Sequence, residues 1–210
     1  MKLDIGCGAH KLPDCYGIDR YALPGVNLVS DLNSEIPFPD NSIDFIAVSR
    51  MLPYVSDLSF ALQELYRVSV HKTVVCLLCP YAHNFRHSSN PFLKHRFDEH
   101  TPRYMTASFR QPPGNPICPP LSPYSYVTPP PYDFRLLRME LFYQAPYLTD
   151  LYEPDELEVL KELQANVVDE ILYYFVVVKA PLPEEEWLAM CNEVHPEPHA
   201  VTMLRSIAPL

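Results

Sequence analysis

The sequence predicts an α/β fold: a mostly parallel, seven-stranded sheet with helices on both faces and its last strand antiparallel. Three observations predict it. The first half of the chain is a series of apolar runs of strand length, separated by turns: "KLDI" at 2–5, "CYGID" at 15–19, "VNLVSD" at 26–31, "IDFIAVS" at 43–49 and "TVVCLLCPY" at 73–81. Continuous apolar runs mark strands covered on both faces, which is the environment of a parallel sheet. Between the fourth and fifth runs lies "DLSFALQELYRV", 57–68, with Leu58, Ala61, Leu62, Leu65 and Val68 on one helical stripe and Ser56 or Asp57 available as a cap. Finally, "YDFRLLRMELFYQ" and "ILYYFVVVKA" bring the strands to seven. The last of them is expected to run antiparallel to its neighbour.

The remaining segments follow from local chemistry. Pro154 opens a helix, "PDELEVLKELQAN", whose first turn is acidic, where the helix dipole favours negative charge. A shorter helix starts near Pro183, and a tail rich in His and Pro ends the chain. Residues 111–132 contain nine of the 24 prolines. Proline fixes φ and removes backbone donors, so this stretch reads as an extended loop, expected to form part of the substrate pocket. No internal repeat or second-domain boundary is visible, and the expectation is one domain over 1–210.

Bulk properties narrow the function. Apolar residues make up 48% and charged residues 20% of the chain, as in ordinary globular proteins. The net charge of −10 weighs against an extended nucleic-acid contact and favours a small-molecule substrate. A local basic patch at Lys94, Arg96, Arg103 and Arg110 keeps an RNA or protein substrate as an alternative. No apolar run reaches the roughly 18 to 20 residues of a membrane span, so no membrane partner is expected and the expected compartment is cytoplasmic. Six cysteines lack the spacing of a disulfide framework and are expected to be reduced and mostly buried. Cys76 and Cys79 point to opposite faces of a strand, which argues against a metal pair.

The opening stretch "KLDIGCGAHKLPDCYGID" carries the most information. A glycine turn after a first strand brings backbone N–H groups close to a ligand. A dinucleotide fold would add a third glycine, a full helix, and an acid about 20 residues on. Here Lys11 takes the third position, and only ten residues separate Gly8 from Asp19. The interval leaves no room for a pyrophosphate site and disfavours a nicotinamide oxidoreductase. A ligand with a ribose and no phosphate suits it better.

Together, "LDIGCG", "GID", "SDLNSEIPFPDNSIDFIAVS" and the helix ending "ELYRV" resemble the class I S-adenosylmethionine-dependent methyltransferases, of the kind grouped as type 11. The resemblance is close over residues 2–80, and "IPFPDNSIDFI" is its most specific part. It implies a Rossmann-like fold with a cofactor-binding half at 1–80, a substrate-side loop region at 81–132, and C-terminal strands and helices at 133–210. S-adenosylmethionine is the implied cofactor, and the implied function is methyl transfer to an O or N atom of a small molecule. Asp4, Gly6, Cys7 and Gly8 would meet the methionine part. Asp19, with Arg20 beside it, would hold the ribose hydroxyls. Asp31 and Leu32 would flank the adenine, and Ser49 and Arg50 would lie beneath the sulfonium. "FDEHTPRYMT", 97–106, resembles a catalytic stretch of the family and makes His100 the candidate base, with Tyr54, Tyr81, His83 and His95 as candidate substrate contacts. Where relatives commonly show Leu-Glu-His, this chain has Leu52, Pro53 and Tyr54. That departure leaves open a protein that binds the cofactor without turning it over.

Overall fold

The computed structural model describes residues 1–122, 124, 128–149 and 151–207. Among them, seven strands form one sheet: β1 Lys2–Ile5, β2 Tyr16–Asp19, β3 Leu28–Val29, β4 Ile43–Ser49, β5 Ser69–Pro80, β6 Phe134–Tyr143 and β7 Val168–Val177. Their order is β3-β2-β1-β4-β5-β7-β6. The first five are mutually parallel, and β7 runs antiparallel to both β5 and β6. The predicted strands, their directions and the final antiparallel hairpin are therefore all present. One edge of the sheet collects the carboxyl ends of β1, β2, β4, β5 and β6 and the start of β7, as the pairs Pro80↔Glu170 and Tyr143↔Val168 require.

The helices are α1 Leu58–Val68, α2 Phe85–Ser88, α3 Pro154–Leu163, α4 Glu184–Cys191 and α5 His199–Ile207. Asp57 caps α1 by accepting from the Phe60 N–H, and Glu153 with Glu156 forms a capping box on α3. Alternation along the buried strands splits the core in two. On one face Ile5, Ile46, Val48 and Leu77 pack against Ala61, Leu62 and Leu65 of α1. On the other, Ala47, Cys76 and Leu78 pack with Trp187 and Met190 of α4 and Val201 of α5. Helix α5 occupies the His- and Pro-rich tail, where the composition alone indicates no regular element. No disulfide links the cysteines, and five of the six are buried.

The stretch "IPFPDNSIDFI" and the helix ending "ELYRV" turn out to be two halves of one clamp. Glu64 Oε2 accepts from the Ile36 N–H at 2.8 Å. The Arg67 guanidinium donates to the carbonyls of Ile36 and Phe38 at 2.8 and 2.9 Å, and pairs with Asp40 at 2.8 Å and Glu64 at 2.7 Å. The Arg67 hydrogen bonds hold the Glu64 carboxyl below the usual carboxylate range, against the opposing effect of its burial. The clamp fixes the loop that feeds β4 onto the helix that leaves it.

The proline-rich segment behaves as the extended loop its composition predicts; among its described residues Tyr132 lines a cavity with His100, and others cover the sheet edge. Asn115 Oδ1 accepts from the Met139 N–H at 2.7 Å, covering part of the edge strand β6, and Arg103 donates to the carbonyls of Cys118 and Pro119. An edge strand has unpaired backbone groups, and this loop satisfies one of them. Pro123 and residues 125–127 of the segment lie outside the described residues.

Candidate functional site

A cleft of about 620 Å³ opens at the carboxyl edge of the sheet, over β1, β2 and β4. Open parallel sheets bind ligands at this edge. Its floor is the turn after β1. Gly6 and Gly8 take φ of 73° and 57°, and a Cβ at Gly6 would lie 2.5 Å from the Ser49 carbonyl, so the turn can sit against β4 only without a side chain there. The Gly6 N–H donates back to the Ile18 carbonyl at 2.8 Å, and the Gly8 N–H donates to Asp19 Oδ2 at 2.9 Å.

Two carboxylates face this turn. Asp19 ends β2 almost fully buried; its Oδ1 accepts from the Tyr21 N–H at 3.0 Å. Each oxygen thus has one backbone partner and retains capacity for another. Asp4 is 1% exposed; its Oδ2 accepts from the Leu12 N–H at 2.7 Å, and its Oδ1 has no partner. Burial pushes the Asp4 carboxyl up, opposed by the Leu12 hydrogen bond and the Lys11 charge and reinforced by Asp19. Ser49 Oγ, also in the lining, is the second buried polar atom without a partner. Burial and both carboxylates push the Cys7 thiol up to about 11, which suits a small buried residue rather than a nucleophile.

Arg50, just after β4, has a left-handed φ of 56°. Its guanidinium makes a bidentate pair with Glu170 of β7, at 2.5 and 2.6 Å, so its positive charge is neutralised beside the cleft. Tyr54 reaches the lining from a 3₁₀ turn at Leu52–Tyr54. Helix α5 supplies the opposite wall through His199, Met203, Leu204 and Ile207. The His10 and His199 rings meet at its mouth, 4.5 Å apart between centroids.

Of the residues singled out in the sequence, the structure brings Asp4, Gly6, Cys7, Gly8, Asp19, Arg20, Ser49, Arg50 and Tyr54 into this one lining. Others lie elsewhere. The Leu32 side chain is in the core, and Asp31 turns back to accept from the Asn33 N–H. His100 lines a separate cavity with Leu58, Thr101 and Tyr132. Tyr81 is buried and donates to Glu99, His83 faces Asp98 at 3.6 Å, and the His95 ring meets the Val55 carbonyl at 3.0 Å; none of the three lines the cleft. The cleft's imidazoles are His10 and His199, neither of which belongs to a motif in the sequence. His10 stands two residues after the second glycine, a position from which only a lining role could follow, and that was the available signal.

Residues 3–76 match the family described as "Methyltransferase domain". No curated protein matches the chain. Among solved structures, the chain is similar to the [4+2]-cyclase SpnF, with 14% identity over 85% of this chain and 74% of that one and a TM-score of 0.51. It is also similar to an S-adenosylmethionine-dependent methyltransferase of Methanosarcina mazei, at 15% identity over 84% and 92%, TM-score 0.48. A third is such an enzyme of Archaeoglobus fulgidus, at 14% over 83% and 85%, TM-score 0.48. The match to a methyltransferase domain thus covers the first third of the chain, and the sheet order is that of a Rossmann-like α/β fold similar to solved S-adenosylmethionine-dependent methyltransferases. S-adenosylmethionine is the cofactor of that class, and the lining fits it: a cationic amino group suits the unpartnered Asp4 oxygen, and a ribose diol suits Asp19.

Proposed function

We propose that the protein transfers a methyl group from S-adenosylmethionine to an O or N atom of a small molecule. The observation that carries this reading is the pair of buried, unpartnered polar atoms, Asp4 Oδ1 and Ser49 Oγ, in the lining of the cleft that also holds Asp19 and the glycine turn. Buried polar atoms are normally satisfied, and such exceptions in a cleft call for a ligand. The bound cofactor would supply an electrophilic methyl on a sulfonium. Asp4 would hold its amino group, Asp19 its ribose hydroxyls, and Ser49 would lie beneath the sulfonium.

The leaving group needs no activation, so the chain's main contributions are alignment and exclusion of water. Met203 and Ile207 of α5 give the cleft an apolar wall. With the histidines at 83, 95 and 100 outside the lining, we assign the proton-accepting role to the His10–His199 pair at the mouth. The single domain over 1–210 belongs to the same reading. A second reading, a cofactor-binding protein without methyl transfer, is favoured by Pro53, which is buried in its turn and has its carbonyl engaged by the Lys94 and His95 N–H groups. The segment is fixed as scaffold, and Tyr54 alone reaches the cleft.

The test is incubation with methyl-labelled S-adenosylmethionine and fractionated small-molecule extracts. The proposal expects label in a small product and equimolar S-adenosylhomocysteine. Cofactor binding without label in any fraction would select the second reading.

A further inference from the structure

A second chamber, of about 530 Å³, lies on the same edge of the sheet, where β6 ends and β7 begins. It adjoins the cofactor cleft: Leu204 and Ile207 of α5 line both spaces. Its volume falls in the range of small-molecule sites. Along the sheet, β7 is two strands from β4, which places the chamber about 10 Å from the end of β4 at the usual strand spacing. That is the reach of a small aromatic molecule.

The walls are apolar and aromatic, with Leu141, Phe142 and Leu148 among them. Three charged side chains join them. Asp169 is already engaged by His87 at 2.9 Å and Asn84 at 3.2 Å. Arg205 is engaged by Glu140 and Glu197. Arg86 makes no ion pair among the described residues. The backbone that carries it is held in position, because the short helix α2 is pinned to the start of β7: Asn84 donates to the Val168 carbonyl, Asn166 accepts from the Phe85 N–H, and His87 meets Asp169. The Arg86 guanidinium is exposed and makes no side-chain hydrogen bond among the described residues, and the one carboxylate that acts on it from the lining, Asp169, is already engaged by His87; a guanidinium so placed beside apolar walls can take an anion, and a carboxylate matches its fork.

We propose that this chamber is the acceptor subsite, taking a small molecule with an apolar or aromatic body and a carboxylate anchored by Arg86. The acceptor's nucleophilic end then points past Ile207 toward the cofactor cleft. The assignment of the occupant as methyl acceptor rests on the methyltransferase reading.

The experiment is ligand-observed NMR with 3-phenylpropionate and its neutral amide, with and without saturating S-adenosylhomocysteine, on the wild type, Arg86→Gln and Ala145→Trp. Ala145 is an exposed lining residue whose enlargement fills the chamber. Expected are binding of the acid at least fivefold tighter than the amide, retention of that binding alongside S-adenosylhomocysteine, loss of the preference in Arg86→Gln, and loss of both ligands in Ala145→Trp. Thermal melting of the variants should match the wild type. Equal binding of acid and amide, displacement of the acid by S-adenosylhomocysteine, or an unchanged preference in Arg86→Gln would overturn the subsite. If S-adenosylhomocysteine does not bind the wild type, the methyltransferase reading fails and the acceptor role with it, while an Arg86-sensitive carboxylate signal still reports the chamber itself.

Discussion

Gly6 and Gly8 share a left-handed backbone but not a neighbourhood. A Cβ at Gly6 meets the Ser49 carbonyl at 2.5 Å, whereas one at Gly8 meets nothing within 4 Å. Gly8→Ala should therefore cost about 1 kcal/mol of stability from its φ alone, and Gly6→Ala at least about 2 kcal/mol, since strain and overpacking add. Denaturant titration of both variants checks the ordering; equal losses would contradict it. At this scale the sequence was legible where a turn forces its residue types, as at Gly6, Gly8 and Asp19. It was not legible for His100. Its local pattern matched a catalytic stretch, but the wall on which a loop histidine ends is decided by how the loop docks, which residues far away in sequence determine.

Among the elements, α1 and its clamp explain why two separated motifs occur together. Removing the Arg67 guanidinium would leave the Glu64 carboxylate and two carbonyls without their partner. Arg67→Ala should lower stability by about 2 to 3 kcal/mol, toward the low end for broken buried pairs because Arg67 is partly exposed. The pH dependence has a definite sign. Glu64 has a folded-state pKa below its unfolded one, so its contribution is complete above the unfolded value near 4.3 and is lost as the pH falls through the folded value. The gap in melting temperature between wild type and Arg67→Ala should narrow in strong acid, to the part carried by the two carbonyl hydrogen bonds; a constant gap would contradict the clamp. The helix α5 went unseen in the sequence because Pro196 and Pro198 mask its start, although Ala200, Val201, Leu204 and Ile207 do have helical spacing. Met203 is half exposed on the cleft side. Met203→Asp should leave the melting temperature unchanged and weaken S-adenosylhomocysteine at least threefold, which calorimetry would show; unchanged affinity would remove α5 from the site.

At the scale of the whole molecule, the continuous apolar runs announced the parallel sheet, while the order β3-β2-β1-β4-β5-β7-β6 is known only from the structure. The edge where those strands end gathers Asp4, Gly6, Gly8, Asp19, Ser49 and Arg50 from three strands into one lining. What the sequence could not give was the partner of that edge, since α5 arrives from the far end of the chain. No helix among the described residues is long and apolar enough to cross a membrane. The central claim is that Asp19 and its neighbours form an adenosyl site. Its most direct test is calorimetric titration of S-adenosylhomocysteine into the wild type and Asp19→Ala, with melting curves to confirm that both are folded. The account predicts saturable binding at one site, weakened by about 1 to 3 kcal/mol in the variant as charged-acceptor hydrogen bonds are lost. Equal affinity in two folded proteins, or no binding to the wild type, would contradict it.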